Sequence, residues 1–280
     1  MICIDSLLRK SLAFLAFSAA IMAANQAAAE VKTAESGNVR ADLSYQQQDY
    51  RFSNVRLRIT RAGKTVSDQP VPVESEYDRP LAAMGGGGRN AGFQVQDLDG
   101  DKEPEVIVDF YTGGAHCCTY SLIYRSDSAK SPHTYLKHPW GNVGYTLRDL
   151  DRDGLPEFNS GDDRFAAQFT AYAGSRFPVQ IWQYRQGKMS DVTRQYPQQI
   201  YSQAYQLWQD FQQAQKNGTD AEGLAVKGIL AAYVADKYLL GQGEDGWQKV
   251  RQAYRLRNRE QFFSDLQKFL KETGYIRNSR

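Results

Sequence analysis

Cysteine is nearly absent: three residues in 280, one of them Cys3 and the other two, Cys117 and Cys118, adjacent. That excludes a small fold stapled together by a disulfide framework. An excess of either charge is also missing, since 34 Lys and Arg face 32 Asp and Glu. The balance leaves no electrostatic footprint for nucleic acid or an anionic membrane surface. Known catalytic signatures are missing too: the chain has no nucleophile elbow and no HExxH. Its one glycine-rich run, "MGGGGRN" at 84–90, precedes the strand-like "GFQVQ". A phosphate cradle needs a following helix whose N-terminus meets the anion, so this run reads as a connection.

The long apolar runs that a membrane span requires do not occur after residue 29. Before it, Arg9 and Lys10 lead into "SLAFLAFSAAIMAA", and Ala27-x-Ala29 offers small residues at a cleavage position. This is the layout of a signal peptide over residues 1–29. The expectation is an exported chain, periplasmic or secreted, with no transmembrane segment once the leader and Cys3 are removed.

What is present falls into two textures. From about Val39 to Pro197 the chain reads as strands and turns. Val55, Leu57 and Ile59 alternate with Arg56, Arg58 and Thr60 before a turn at Ala62-Gly63, and Val179, Ile181 and Gln183 precede a turn at Gln186-Gly187. From residue 198 the period becomes helical: Ile200, Ala204, Leu207, Phe211 and Ala214 share one face. Three further segments follow, the first opened by a Thr219/Glu222 capping box and the others carried by Trp247, Val250 and Tyr254 and by Phe262, Phe263, Leu266, Phe269 and Leu270. The expected fold class is therefore α+β. An N-terminal β-repeat domain (30–197) precedes a small all-helical C-terminal domain (198–280), either a bundle or a cover packed on the strands.

An internal repeat carries the chemistry. "FQVQDLDGDKEPEVIV" (93–108) and "YTLRDLDRDGLPEFNS" (145–160) match at Asp97/Asp149, Leu98/Leu150, Asp99/Asp151, Asp101/Asp153, Pro104/Pro156 and Glu105/Glu157, 52 residues apart. Carboxylates at positions 1, 3, 5 and 9 can converge on a hard divalent cation that takes six to eight oxygens. The backbone carbonyls of Glu103 and Leu155 at position 7 are candidates to join them. So close together, these carboxylates repel one another until a cation arrives. The expected cofactor is calcium, held in two loops, 97–105 and 149–157, each anchored to the core by its leucine. An EF-hand is excluded: its Gly at position 6 and Glu at position 12 are replaced by Lys102 and Val108 in the first loop, and the second has Gly154 but Ser160.

The pattern of Asp at 1, 3 and 5, an acid at 9 and flanking strands resembles the calcium loops of FG-GAP/VCBS-type repeats, as in the integrin alpha-subunit propeller and many exported bacterial proteins. The resemblance covers residues 90–197 and implies propeller-blade-like antiparallel sheets. Two clear repeats and one degenerate N-terminal unit fall short of the four or more blades of a closed propeller, and closure stays open. Glu105 and Glu157 stand where the family has Asp, and Gly at position 6 occurs only in the second loop, which implies a more strained first loop.

"GGAHCC" (113–118) is the other candidate. In an extended segment His116 and Cys118 share a face while Cys117 points away. His133 and His138 lie in a separate stretch read as loop, so a tetrahedral metal lacks ligands. A Cys-His nucleophile lacks an orienting third group. Two readings stay open, a vicinal disulfide between Cys117 and Cys118 or two buried thiols. The functional expectation is a non-enzymatic binding or cell-envelope module whose partner is a protein or glycan. The alternative is a secreted hydrolase using acids near the loops, Asp109, Asp162 and Asp163.

Overall fold

The computed structural model describes residues 29–84, 92–114, 117–125, 134–218 and 220–277. The residues before Ala29, where a signal peptide is expected, the glycine run from residue 85, His116, His133 and Thr219 lie outside these.

The strand region is three antiparallel sheets. The first is a meander of β1 (Ala29–Ser36), β2 (Val39–Gln48), β3 (Arg51–Arg61) and β4 (Lys64–Pro70). Its two central strands alternate: Val39, Ala41, Leu43 and Tyr45 are buried, and so are Val55, Leu57 and Ile59, while Arg56 and Arg58 are exposed and ion-paired to Asp68. The second sheet has the short β5 (Arg79–Pro80) and β6 (Phe93–Gln96), both paired with β7 (Glu105–Tyr111), then β8 (Thr119–Tyr124) and β9 (Tyr135–Gly141). The third is β10 (Thr146–Arg148), β11 (Glu157–Gly161), β12 (Val179–Arg185) and β13 (Lys188–Asp191), in that order. The sequence repeat is thus a structural one: short strand, acidic loop, then three strands.

The sheets lie in a row. One face of β7 offers Val106, Val108 and Phe110 to the core of the first sheet. Its other face puts Ile107 against Trp140, Tyr145, Phe158 and Tyr184, which join the second sheet to the third. A strand covered on both sides reads as a continuous apolar run, and "EVIVDFY" does. On the far face of the third sheet Val179, Ile181 and Val192 pack on Tyr196 and Ile200, so the helices cover the strands. No closed ring forms among the described residues, and a propeller does not follow.

The helices are α1 (Pro197–Lys216), α2 (Leu224–Leu239), α3 (Gly243–Ala253) and α4 (Arg259–Glu272). α2 is buried almost all round, with every residue from Gly228 to Lys237 inside, which marks it as the centre of the unit. Its Gly228 runs against the loop before β12, where an added Cβ would lie 2.6 Å from the Gly174 carbonyl oxygen. No helix among the described residues is long and apolar enough to cross a membrane.

Candidate metal centre

The first loop joins β6 to β7 and is folded by its own carboxylates. Asp97 Oδ1 accepts from the amides of Asp99 (3.3 Å) and Gly100 (2.7 Å), and its Oδ2 accepts from Lys102 (3.0 Å). Asp101 Oδ1 accepts from Glu103 N, and Glu105 Oε2 accepts from Leu98 N at 3.0 Å. The second loop, between β10 and β11, repeats four of these five bonds and replaces the Asp99 N bond with one from Asp153 N to Asp151 Oδ1. Asp149 accepts from Arg152 and Gly154, Asp153 from Leu155, and Glu157 Oε2 from Leu150 N at 2.9 Å. Such side-chain acceptors are what let a short polar segment curl without a ladder. Leu98 is fully buried, while Leu150 is half-buried against the helices.

Both loops need a left-handed backbone at positions 4 and 6. In the first these are Gly100 (φ +79°) and Lys102 (φ +65°), in the second Arg152 (φ +67°) and Gly154 (φ +90°). Each loop therefore has one glycine and one strained residue. The first loop is therefore not the more strained one, contrary to the expectation from position 6, because Gly100 serves position 4 as Gly154 serves position 6.

Oxygens of Asp97, Asp99 and Asp101 lie within 4.8 Å of one another, and so do those of Asp149, Asp151 and Glu157. Glu105 and Asp153 stand outside these two sets. The Glu103 side chain pairs with Arg61, leaving its carbonyl for the loop, and Leu155 packs on Gly100, so the loops touch. The β12–β13 turn lies between them. Arg185 donates to the Leu98 carbonyl (2.9 Å) and stands 4.0 Å from Asp153, and Gln186 N donates to Asp99 Oδ2 (2.8 Å).

The loops differ in what faces their carboxylates. In the first, Glu105 is fully buried, its Oε1 has no hydrogen-bond partner, and Asp99 Oδ1 has none either. Burial pushes the Glu105 carboxyl up to about 8; the Leu98 amide pulls it down, and Asp99, Asp101 and Asp97 push it further up. Asp101 is raised by burial and by Asp99 and Asp97, against the pull of Arg125 and Arg61. In the second, Gln183 Nε2 donates to Glu157 Oε1 (3.0 Å), and the Tyr196 hydroxyl donates to Asp151 Oδ2 (3.2 Å). The sequence marked neither residue: both are ordinary polar positions, far along the chain from the acids they meet.

The remaining candidates are arranged otherwise. Cys117 and Cys118 have their Sγ atoms in contact across a cis peptide, and Cys118 N donates to Thr112 Oγ1. His138 sits in β9 rather than in a loop, between Trp140 and Trp182 with ring centroids at 4.2 and 4.7 Å, and burial lowers it to about 4. Asp109 is sealed inside β7. It accepts from Ser121 (2.5 Å) and Tyr145 (3.1 Å), and burial pushes it up to about 6 against those hydrogen bonds. Asp162 holds Arg164 and Tyr275, and Asp163 holds Asn142. The three acids of the hydrolase alternative thus have separate structural partners.

Comparison with known proteins gives a family model described as the sll0997 C-terminal domain, which matches residues 200–274. The chain is similar to the probable thylakoid lumen protein sll0997 of Synechocystis sp., 31% identical over 229 residues, covering 79% of this chain and 62% of that protein. It is also similar to the uncharacterized protein y4bJ of Sinorhizobium fredii, 25% identical over 234 residues, covering 78% of this chain and 32% of that one. The match thus spans less than two thirds of either relative. No solved structure matches. These findings overturn the resemblance to FG-GAP/VCBS-type repeats, because the matching family is a different one. The physical reason is that spacing of acids at 1, 3, 5 and 9 reflects what a cation asks of a short loop, which unrelated chains can meet alike.

Proposed function

We propose that this chain is an exported calcium-binding protein, a non-enzymatic binding or cell-envelope module whose acidic loops are stiffened by the ion. One observation carries the reading: the Glu105 carboxyl, fully buried beside three aspartates, has an oxygen with no hydrogen-bond partner. A buried carboxylate is retained where it is paired or coordinates a metal, and the two nearby cations are engaged by other acids, Arg61 by Glu103 and Arg125 by Asp101. Oxygen-only ligands at this spacing favour calcium over transition metals. Export is supported by the leader-like residues 1–29 and by the thylakoid lumen protein among the relatives.

The test is thermal unfolding of the chain from residue 30 onward, in calcium and then in excess chelator. Exported calcium modules bind at roughly 10⁻⁴–10⁻³ M, so the titration runs to tens of millimolar. At a hundredfold excess over Kd one site adds about 2.7 kcal/mol. Asp99→Ala should remove a large share of that shift. Identical melts with and without calcium would end the metal reading.

A further inference from the structure

The two loops are copies in backbone and unequal in surroundings, and the inequality has a direction. Each closing glutamate points from its own sheet to the next layer. Glu105 faces the third sheet, and Glu157 faces the helical cover, where Gln183 and Tyr196 meet it. In both loops Oε2 accepts the amide at position 2, so the two Oε1 atoms are counterparts. In the first loop that atom is unpartnered; in the second it is occupied by an amide N–H. Asp151 is likewise held by the Tyr196 hydroxyl, and Tyr196 is the residue immediately before α1.

We propose that Gln183 and Tyr196 set the order of filling: the first loop takes calcium as built, and the second takes it only by releasing Tyr196, which carries its occupancy to the start of α1. This inference rests on the calcium reading above. A donor hydrogen aimed at a carboxylate oxygen and a cation bound at that oxygen repel one another, so the ion must displace the donor. Hydrogen bonds to charged groups are the stronger class, and giving one up lowers affinity by roughly tenfold or more. The first loop meets a smaller cost: Glu105 Oε1 and Asp99 Oδ1 face no donor, and the hydrogen bond that reaches its acids from outside the loop is the Gln186 amide on Asp99 Oδ2. Tyr196 and Gln183 are positioning residues here, acting on the ion through Asp151 and Glu157.

The experiment is calcium titration calorimetry on the chain from residue 30, in variants that isolate one loop each. Asp151→Ala, which keeps the first loop, should retain the tighter step, and Asp99→Ala, which keeps the second, should retain only the weaker one. Within the Asp99→Ala background, adding Tyr196→Phe should tighten binding roughly tenfold, a gain that loss of a merely structural contact would not give. Gln183→Leu serves the same purpose if the phenylalanine variant fails to fold. In the parent chain, amide exchange in the first turn of α1 should quicken as the weaker step fills, and it should not do so in Asp151→Ala. Equal affinities for the two loops, or an unchanged second step in both donor variants, would overturn the ordering while leaving calcium binding intact. No heat of binding at any millimolar concentration would overturn both.

Discussion

Glu105→Gln is the perturbation whose outcome the structure constrains most tightly. With its folded pKa raised from 4.5 to about 8, the buried carboxyl keeps its proton in metal-free protein at pH values where the unfolded chain has lost it. The folded state then binds more protons than the unfolded one, so stability is complete below about pH 4.5 and falls as pH rises towards 8. At 1.36 kcal/mol per pH unit the span sets an upper bound of roughly 4–5 kcal/mol. The groups facing Glu105 are Asp97, Asp99 and Asp101, which push it up, with Arg61 and the Tyr184 hydroxyl also alongside. The glutamine can still present an oxygen to Leu98 N, and it carries no charge. Chemical unfolding in chelator at pH 5, 6, 7 and 8 should show wild type losing stability relative to Glu105→Gln, with near equality at pH 5 and a gap of several kcal/mol at pH 8. Other buried acids contribute equally to both proteins and cancel in the difference. Calcium should close the gap in wild type by holding the carboxylate ionised. A difference that stays within about 1 kcal/mol across the range would refute the argument, as would a calcium response that Glu105→Gln leaves undiminished.

Other outcomes follow from packing. Leu98→Ala, at a fully buried anchor, should cost about 2–5 kcal/mol and weaken calcium binding at the first loop, read by unfolding and by titration. Gly228→Ala would set a Cβ 2.6 Å from the Gly174 oxygen and 2.9 Å from Thr170 Cγ2; the overpacking should cost about 1–3 kcal/mol and lower Tm in calorimetry. Asp236, buried in α2 with its pKa raised well above the ordinary range by burial, destabilises the fold as pH rises. Asp236→Leu should therefore raise Tm more at pH 8 than at pH 5 in the same scan.

The parts legible in the sequence were those governed by local rules. Alternation at Val55, Leu57 and Ile59 and the turn at Gln186-Gly187 gave strands β3 and β12–β13 because each side chain faces one layer. The helical stripe at Ile200, Ala204, Leu207 and Phe211 is buried as its spacing requires, and the acids of both loops converge because they are close in the chain. What escaped depends on distance in sequence. The row of sheets follows from packing between layers, such as the cluster that holds Ile107 together with Phe158 and Tyr184, which no local period reports. Gln183 and Tyr196 meet Glu157 and Asp151 only once the third sheet and α1 have come together. The β-strand Ala29–Ser36 was overlooked because its outward positions leave little alternation to see, with Val31 exposed. Ancestry was misread for a different reason: the loop chemistry is general, whereas the family match lies in the helices, to which no chemistry was assigned.

A row of sheets differs from a ring in having two ends, and the apolar face at one of them is closed by Tyr196 and Ile200 against Val179, Ile181 and Val192. The helical unit is thus a lid on a stack that could otherwise grow. Removed, it would bare a flat sheet face of the kind that recruits further layers, so strand-only fragments of this chain should polymerise or precipitate. Joined to the helices, the same face is finished.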